Sequence, residues 1–410
     1  MGLGYDCESD GSGDDDKTID TLHYLTHLLA TQALGRDDAD DANDGDGSTV
    51  GHTDIGAFAA HPSSPRTRYI DACSRQGVAP RVSLLVRRTL SKKLDLRHQG
   101  MQDAMCVMLA QSLPGLPYIE SINVADNNLT DIGLAPLFDS VAEMEGILEL
   151  DVSQNEIGPL AAAALSRYLT LWSCSLQMLV LSKADVDDFE CERFVSVIKS
   201  NKSLTHLDLS YNKIGASENL NTVMPDMITG SEALADLLRS PDCHLRTLIL
   251  TYNMIRLDGG EELCSSLNVN KSLTYLDLSY NSMAEPGGCA LGSALEGNAS
   301  LEHLIISYNN IGSCACTVIC AGIIENRGLR RLVLDGNPIG VEGAKALMIP
   351  PTIVGQRLKI SAQKCNITMR DSSSWFETDK PLRDYSLHLD DPYEVLTINL
   401  TITLTPAHRV

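Results

Sequence analysis

The sequence predicts an α/β fold. It is a curved solenoid with a parallel sheet on its concave side and helices on its convex side, closed by a helical N-terminal cap and a short β C-terminal cap. Three observations predict it. An eleven-residue stretch, LTHLDLSYNKI at Leu204–Ile214, returns as LRTLILTYNMI, LTYLDLSYNSM, LEHLIISYNNI and finally LRRLVLDGNPI, which ends at Ile339. The copies keep one interval. The ninth slot holds Gln99, Asn127, Asn155, Ala184, Asn212, Asn253, Asn281, Asn309 and Asn337, in steps of 28, 28, 29, 28, 41, 28, 28 and 28 residues. Between the copies lie segments apolar on one helical face, such as GCALGSALEGN from Gly288 to Asn298. One such unit cannot bury its own apolar face, whereas nine stacked units can.

Each slot of the unit has a physical reason. The Leu-type residues of the short strand point inward and merge into one continuous core. The slot-nine Asn suits a place where the chain turns out of the strand, because a short amide can bond free backbone groups there. Gly follows in Ile214-Gly215, Ile311-Gly312 and Ile339-Gly340. Asn201, Asn270, Asn298 and Asn326 each stand 11 residues before the next ladder Asn. They are expected to close the helices in the left-handed conformation that Asn tolerates.

The pattern L-x-x-L-x-L-x-x-N-x-L over roughly residues 90–350 resembles the leucine-rich repeat. The 28-residue unit with a full helix resembles the ribonuclease-inhibitor-like class of that family, and the resemblance implies a recognition surface rather than a catalyst. The spacing of Tyr69, Cys73, Pro80 and the LDL at Leu94 is similar to the start of some leucine-rich-repeat proteins of centrosomes and cilia, which implies a cytoskeletal or ciliary home. The repeats also resemble the Ran GTPase-activating solenoids, which carry an acidic C-terminal tail. Here the acidic run is N-terminal.

Composition narrows the classes further. The chain has 410 residues, 43% hydrophobic and only 5% aromatic, as a Leu-built solenoid requires. Its net charge is -22, and residues 1–67 hold 14 acids against 3 bases. That balance argues against nucleic-acid binding, which needs basic surface. No apolar run approaches the ~18 residues of a membrane span. MGLGYDCESDGSGDDD has neither the basic flank nor the apolar stretch of a secretory signal, so the expected home is cytoplasmic, with the cytoskeleton or a cilium or flagellum inside that range. The 12 Cys are then reduced thiols. Helical spacing puts Cys316 beside Cys320 with Cys314 elsewhere, and no His or carboxylate stands among them, so they read as core thiols. DADDANDGDGST lacks the ligand pattern of a calcium loop. Neither metal nor cofactor is expected. No G-x-S-x-G, phosphate loop or H-E-x-x-H occurs, so no enzyme is expected either.

Along the chain, residues 1–67 read as an acidic, largely disordered leader with one short helix near 17–34. Residues 68–90 read as the N-terminal cap, and 91–350 as the solenoid of about nine repeats. Residues 351–410 read as a degenerate repeat, RLKISAQKCNI, followed by two period-two runs, YSLHL and LTINLTITL, forming a β cap. The step of 41 places 13 extra residues near 216–230, where Met224 and Met227 flank Pro225 as an adaptable contact loop.

The binding residues follow from the strand pattern. Slots three, five and seven face the concave side and slot eight its rim. Slot eight holds Tyr211, Tyr252, Tyr280 and Tyr308. Slot three holds His206, Tyr275 and His303. Slot five holds Asp151, Asp208 and Asp277 among aliphatic residues. Tyr is a rigid contact residue, and Asp favours a partner with Lys or Arg. The expected role is a scaffold that holds a protein partner with basic and apolar surface, as a subunit of a larger assembly. Regulation of a small GTPase and inhibition of a basic enzyme are the alternatives that the resemblances imply.

Overall fold

The computed structural model describes residues 64–81, 91–116, 118–219, 228–350, 358–366 and 397–401. The leader through residue 63, cap residues 82–90, Met224, Met227 and the YSLHL run lie outside them.

Nine units each open with a three-residue strand. These are β1 Lys93–Asp95, β2 Ser121–Asn123, β3 Glu149–Asp151, β4 Met178–Val180, β5 His206–Asp208, β6 Thr247–Ile249, β7 Tyr275–Asp277, β8 His303–Ile305 and β9 Arg331–Val333. Helix α1, Pro65–Arg75, precedes them. The units continue into α2 Gln102–Ala110, α3 Asp131–Ala142, α4 Pro159–Thr170, α5 Asp188–Ile198, α6 Gly230–Arg239, α7 Leu257–Ser266, α8 Ala284–Gly297, α9 Ser313–Glu325 and α10 Gly340–Leu347. Strands β10, Lys359–Asn366, and β11, Thr397–Thr401, complete one open sheet whose strands lie in chain order. Strands β1 to β10 run parallel and β11 runs antiparallel to β10.

The register is slot for slot. Leu207 pairs with Leu179 on one side and Leu248 on the other. Leu207, Leu209 and Ile214 are fully buried, as are their equivalents in the middle units, so the core is one column of aliphatic layers. α1 covers its N-terminal end through Tyr69, Ala72 and Cys73, the Tyr69 hydroxyl donating to Met105 Sδ at 2.8 Å. The helix starts at Pro65, inside the stretch expected to be leader, because Ser64 caps it by accepting from Thr67 N.

The slot-nine Asn does more than close its own turn. Asn155 Nδ2 donates to Val152 O at 2.9 Å and Ser153 O at 3.2 Å in its own unit, and to Val124 O at 3.1 Å in the preceding one. Its Oδ1 accepts from Asn127 N at 3.2 Å and Leu129 N at 3.0 Å, also in the preceding unit. One buried side chain thus meets five backbone groups at the turn, of which only Ser153 O has a backbone partner besides, Asp126 N at 3.0 Å. Asn212 and Asn337 repeat the pattern. Asn309 keeps donor bonds but its Oδ1 has none, where the preceding unit turns through Ala284 in a left-handed conformation. Cys365 stands 28 residues after Asn337, and its thiol takes the same inter-unit bond, to Leu334 O at 3.3 Å. Residues 359–366 therefore stack as a tenth unit, with a thiol in the amide's place.

The helix-closing Asn residues work differently from the sequence expectation. Asn298 (φ -84, ψ 129) and Asn326 (φ -65, ψ 137) are extended, not left-handed. Their amides do the closing. Asn298 Oδ1 accepts from Leu301 N at 2.9 Å, and its Nδ2 donates to Leu267 O, at the end of the preceding helix, at 2.7 Å. Free carbonyls at a helix C-terminus are thereby met across the unit boundary.

A second inter-unit device sits at the helix starts. The Asp131 carboxylate, in the first turn of α3, accepts from Gly158, Leu160 and Ala161 N at the start of α4. The buried Asp188 accepts from Gly215, Ser217 and Gly230 N, and so grips both ends of the insertion. Negative charge at a helix N-terminus is favourable in its own right.

Replacing Asn155 by Ala leaves buried backbone groups unpaired at about 1–3 kcal/mol each, so a loss of at least about 3 kcal/mol is expected in urea denaturation. A second expectation concerns pH. Asp187 and Glu190 form the capping box of α5. Burial first, then the hydrogen bond and charge of Asp187, push Glu190 up to about 7. Burial alone would raise Asp187 too, but the bonds from Glu190 and the helix backbone outweigh it and hold it below its usual value. Glu190 therefore contributes stability that is complete below its unfolded value of 4.5 and lost as pH rises through about 7. The Asp187 contribution is lost only in acid, outside that window. The melting temperature of wild type relative to Glu190→Gln should fall between pH 6 and pH 8, and a constant difference would contradict the assignment.

Candidate protein-binding face

Every unit turns out of its strand at slot eight through a left-handed residue. The series is His98, Asp126, Gln154, Lys183, Tyr211, Tyr252, Tyr280 and Tyr308, with φ between 53 and 57, then Gly336 at φ 70 and Lys364 at φ 54. In this conformation the slot-eight N–H adds one bond to the sheet, Tyr211 N to Thr251 O at 2.7 Å and Tyr280 N to Ser307 O at 2.8 Å. Glycine takes a left-handed backbone freely, while an L side chain costs roughly 1–2 kcal/mol there. Four consecutive units nevertheless carry Tyr.

The stack offsets part of that cost. Neighbouring strands lie about 4.8 Å apart, so identical side chains in register meet face to face. Tyr211 and Tyr252 have ring centroids 4.5 Å apart at 13°, Tyr252 and Tyr280 4.0 Å at 10°, and Tyr280 and Tyr308 4.4 Å at 12°. Each such pair contributes about 0.5–1.5 kcal/mol. The ladder remains open to solvent, with Tyr211, Tyr252 and Tyr280 exposed by 54, 40 and 37%. It ends where the Tyr308 ring lies over Gly336, at a place where any Cβ would collide with the ring. The four rings wall a groove of about 370 Å³ whose other sides include Asp277, Asp335 and Lys364.

The slot-five carboxylates are not equivalent. Asp208 Oδ1 accepts from Ser210 N and Asp277 Oδ1 from Ser279 N, each at 2.9 Å, a short-range turn bond that suits Asp there. Asp151 spends both oxygens inside the sheet, Oδ1 on Ser153 and Oδ2 on Asn123 Nδ2 at 2.6 Å. At slot three, Tyr275 and His303 meet with ring centroids 6.1 Å apart. Burial lowers the His206 pKa against the opposing pull of Asp208, which disfavours the charged imidazolium. Of the residues singled out from sequence, the four tyrosines and Asp277 converge on one groove. His206 and Asp208 lie on β5, His303 on β8, and Asp151 two strands before Asp208.

The sequence reading passed over two features. Ile132, Leu160 and Phe189 are exposed at the second residue of α3, α4 and α5. Their spacing of 28 and 29 residues was the available signal. The other is a correction. Cys314 was read with Cys316 and Cys320 as a core thiol, but it is exposed, and Glu285, Cys289 and Cys314 place their ligand atoms within 4.8 Å of one another. The inter-helix register that joins them is not visible in the local C-x-C-x3-C spacing. Among the described residues no helix is long and apolar enough to cross a membrane.

The repeated sequence matches known proteins. The leucine-rich-repeat family model matches residues 115–138, 200–217, 242–264, 269–292, 297–318 and 325–348. The ribonuclease inhibitor of Sus scrofa is 26% identical over 214 residues, covering 45% of this chain and 44% of that one. The NACHT, LRR and PYD domains-containing protein 12 of Homo sapiens is 34% identical over 133 residues, 32% of this chain and 11% of that protein. The chain thus spans less than half the length of these curated relatives. A Caenorhabditis elegans tropomodulin C-terminal domain structure aligns at 15% identity with a TM-score of 0.31, over 40% of this chain and 92% of that one, a likeness too loose to carry an argument. Removing the Tyr252 ring separates strain from stacking. Tyr252→Ala keeps the left-handed penalty and loses the stack, so it should be less stable in urea than Tyr252→Gly by about 1 kcal/mol.

Proposed function

Because this chain is a leucine-rich-repeat protein of the ribonuclease-inhibitor-like kind, we propose that it is a non-enzymatic scaffold whose concave face and tyrosine rim hold a protein partner. The observation that carries the reading is the exposed stack of Tyr211, Tyr252, Tyr280 and Tyr308 on left-handed backbone. Strained backbone that a glycine would relieve is kept where a side chain is used. Tyr offers a large, rigid, amphipathic contact at small entropic cost, and such residues dominate binding energy in interfaces.

Asp208 and Asp277 give the partner its chemistry. Each has one oxygen bonded within the turn, and Asp277 and Asp335 border the ring groove. A partner presenting Arg or Lys beside apolar surface fits both halves, because a guanidinium can lie on a ring face while it pairs with a carboxylate. The spacing of Tyr69, Cys73 and Pro80 in the cap supports a place in a cytoskeletal or ciliary assembly, and the Met224–Met227 loop is proposed as a second contact.

The test uses affinity capture from native extract followed by cross-linking mass spectrometry, with wild type against a chain carrying Tyr→Gly at 211, 252, 280 and 308. Glycine suits that backbone, so the fold survives the change. Loss of one reproducible partner set by more than about tenfold is expected, each hot-spot side chain being worth about 2 kcal/mol. Equal capture by both chains would exclude the tyrosine rim. Altered GTP turnover in a panel of small GTPases, or steeply salt-sensitive capture of a basic enzyme, would replace the scaffold reading with a regulator or an inhibitor.

A further inference from the structure

Far from the concave face, α8 and α9 approach each other unusually closely. A Cβ at Gly292 would stand 2.6 Å from the backbone of Val318 and Ile319, and one at Gly288 would stand 2.6 Å from Ala315 Cβ. Gly322 in turn has the Gly292 carbonyl where its own Cβ would go. Three glycines therefore let the two helices meet backbone to backbone.

That approach brings a set of donors together on the solvent side. Glu285 and Cys289 are one helical turn apart on α8 and share a face. Cys314 is the second residue of α9, and the 28-residue period sets it level with Pro286, between those two. The two sulfurs and a Glu285 oxygen all lie within 4.8 Å of one another, with Cys314 exposed and the other two half-buried. We propose that Cys289, Cys314 and Glu285 form a binding site for a thiophilic divalent cation, zinc first, with a water or a partner's side chain as fourth ligand.

The dimensions suit the ion. Zn–S bonds of about 2.3 Å in a tetrahedron put sulfurs roughly 3.8 Å apart, so the side chains close by about 1 Å at most, without moving the helices. Two thiolates and one carboxylate are a borderline-soft donor set that favours zinc over calcium or magnesium. Glu285 already has a fixed orientation, because its Oε2 accepts from Ala315 N at 2.6 Å. Three groups that become anionic together repel one another. A dication removes that repulsion, and its binding sends the two thiol protons to solvent. The neighbouring Cys316 and Cys320 are buried in the core and take no part.

The experiment is a titration of the full chain, reduced with a phosphine, using cadmium as a spectroscopic probe and zinc in competition with a chromophoric chelator. Wild type should show sulfur-to-cadmium charge-transfer absorption saturating at one equivalent. Cys289→Ser and Cys314→Ser should each abolish that band while melting at the wild-type temperature in metal-free buffer. Glu285→Gln keeps the acceptor for Ala315 N and removes the charge, so it should keep the band and weaken zinc. The loss should be at least about tenfold, since even outer-shell partners are worth about 10–100-fold. A band unchanged in either serine variant, or no band at one equivalent, overturns the site. Recovery of Cys289 and Cys314 as a disulfide-linked peptide from protein prepared without reductant, with no zinc retained, also overturns it and makes the pair a redox couple.

Discussion

The solenoid depends on a buried amide that recurs at slot nine in most of its units, from Asn127 to Asn337. Where each strand ends, the chain must turn inside the molecule, and beyond the slot-eight N–H several backbone groups of that turn have no strand partner. A buried polar group left without a partner costs more than a made bond gains. Asn127, Asn155, Asn212 and Asn337 answer for their own turn and for that of the unit before them. The amide is therefore a hydrogen-bonded rivet between neighbours, and it holds the units that carry it in register.

Once register is fixed, any residue repeated at one slot becomes a column. Leucines become a continuous core. Four tyrosines become a stack at 4.0–4.5 Å, because ring thickness and strand separation nearly match. The same slot in earlier units carries His98, Asp126, Gln154 and Lys183, of which His98 Nδ1 meets Asp126 Oδ2 at 2.6 Å. One rim of the molecule thus changes from polar to aromatic along its length. Carboxylates at the helix starts extend the logic to the convex side, and Asp188 shows its tolerance. By bonding Gly215, Ser217 and Gly230 it keeps α6 in line although the unit is longer.

Much of this was legible in the sequence because the repeat is written in side-chain identity at a fixed spacing. The strand slots, the ladder Asn and the tyrosine rim all follow from it. The errors share a cause. Left-handed backbone was assigned to the helix-closing Asn on residue preference, yet Asn298 and Asn326 are extended and it is the slot-eight tyrosines that are left-handed. Local propensity is overruled when neighbouring units supply the hydrogen bonds. Asp151 looked equivalent to Asp208 and Asp277, but the neighbouring unit's Asn123 takes its second oxygen.

The sequence by itself determined the architecture and which side chains line each column. Those are properties of period and polarity, and they require no knowledge of how far apart two units sit. Only the tertiary structure decided what adjacent units do to one another. It set which carboxylate keeps a free oxygen, how closely the rings stack, and that Glu285, Cys289 and Cys314 share one corner. The physical reason is that these depend on the distance and rotation between units, which three glycines on α8 and α9 and the buried amides set through contacts absent from any single repeat.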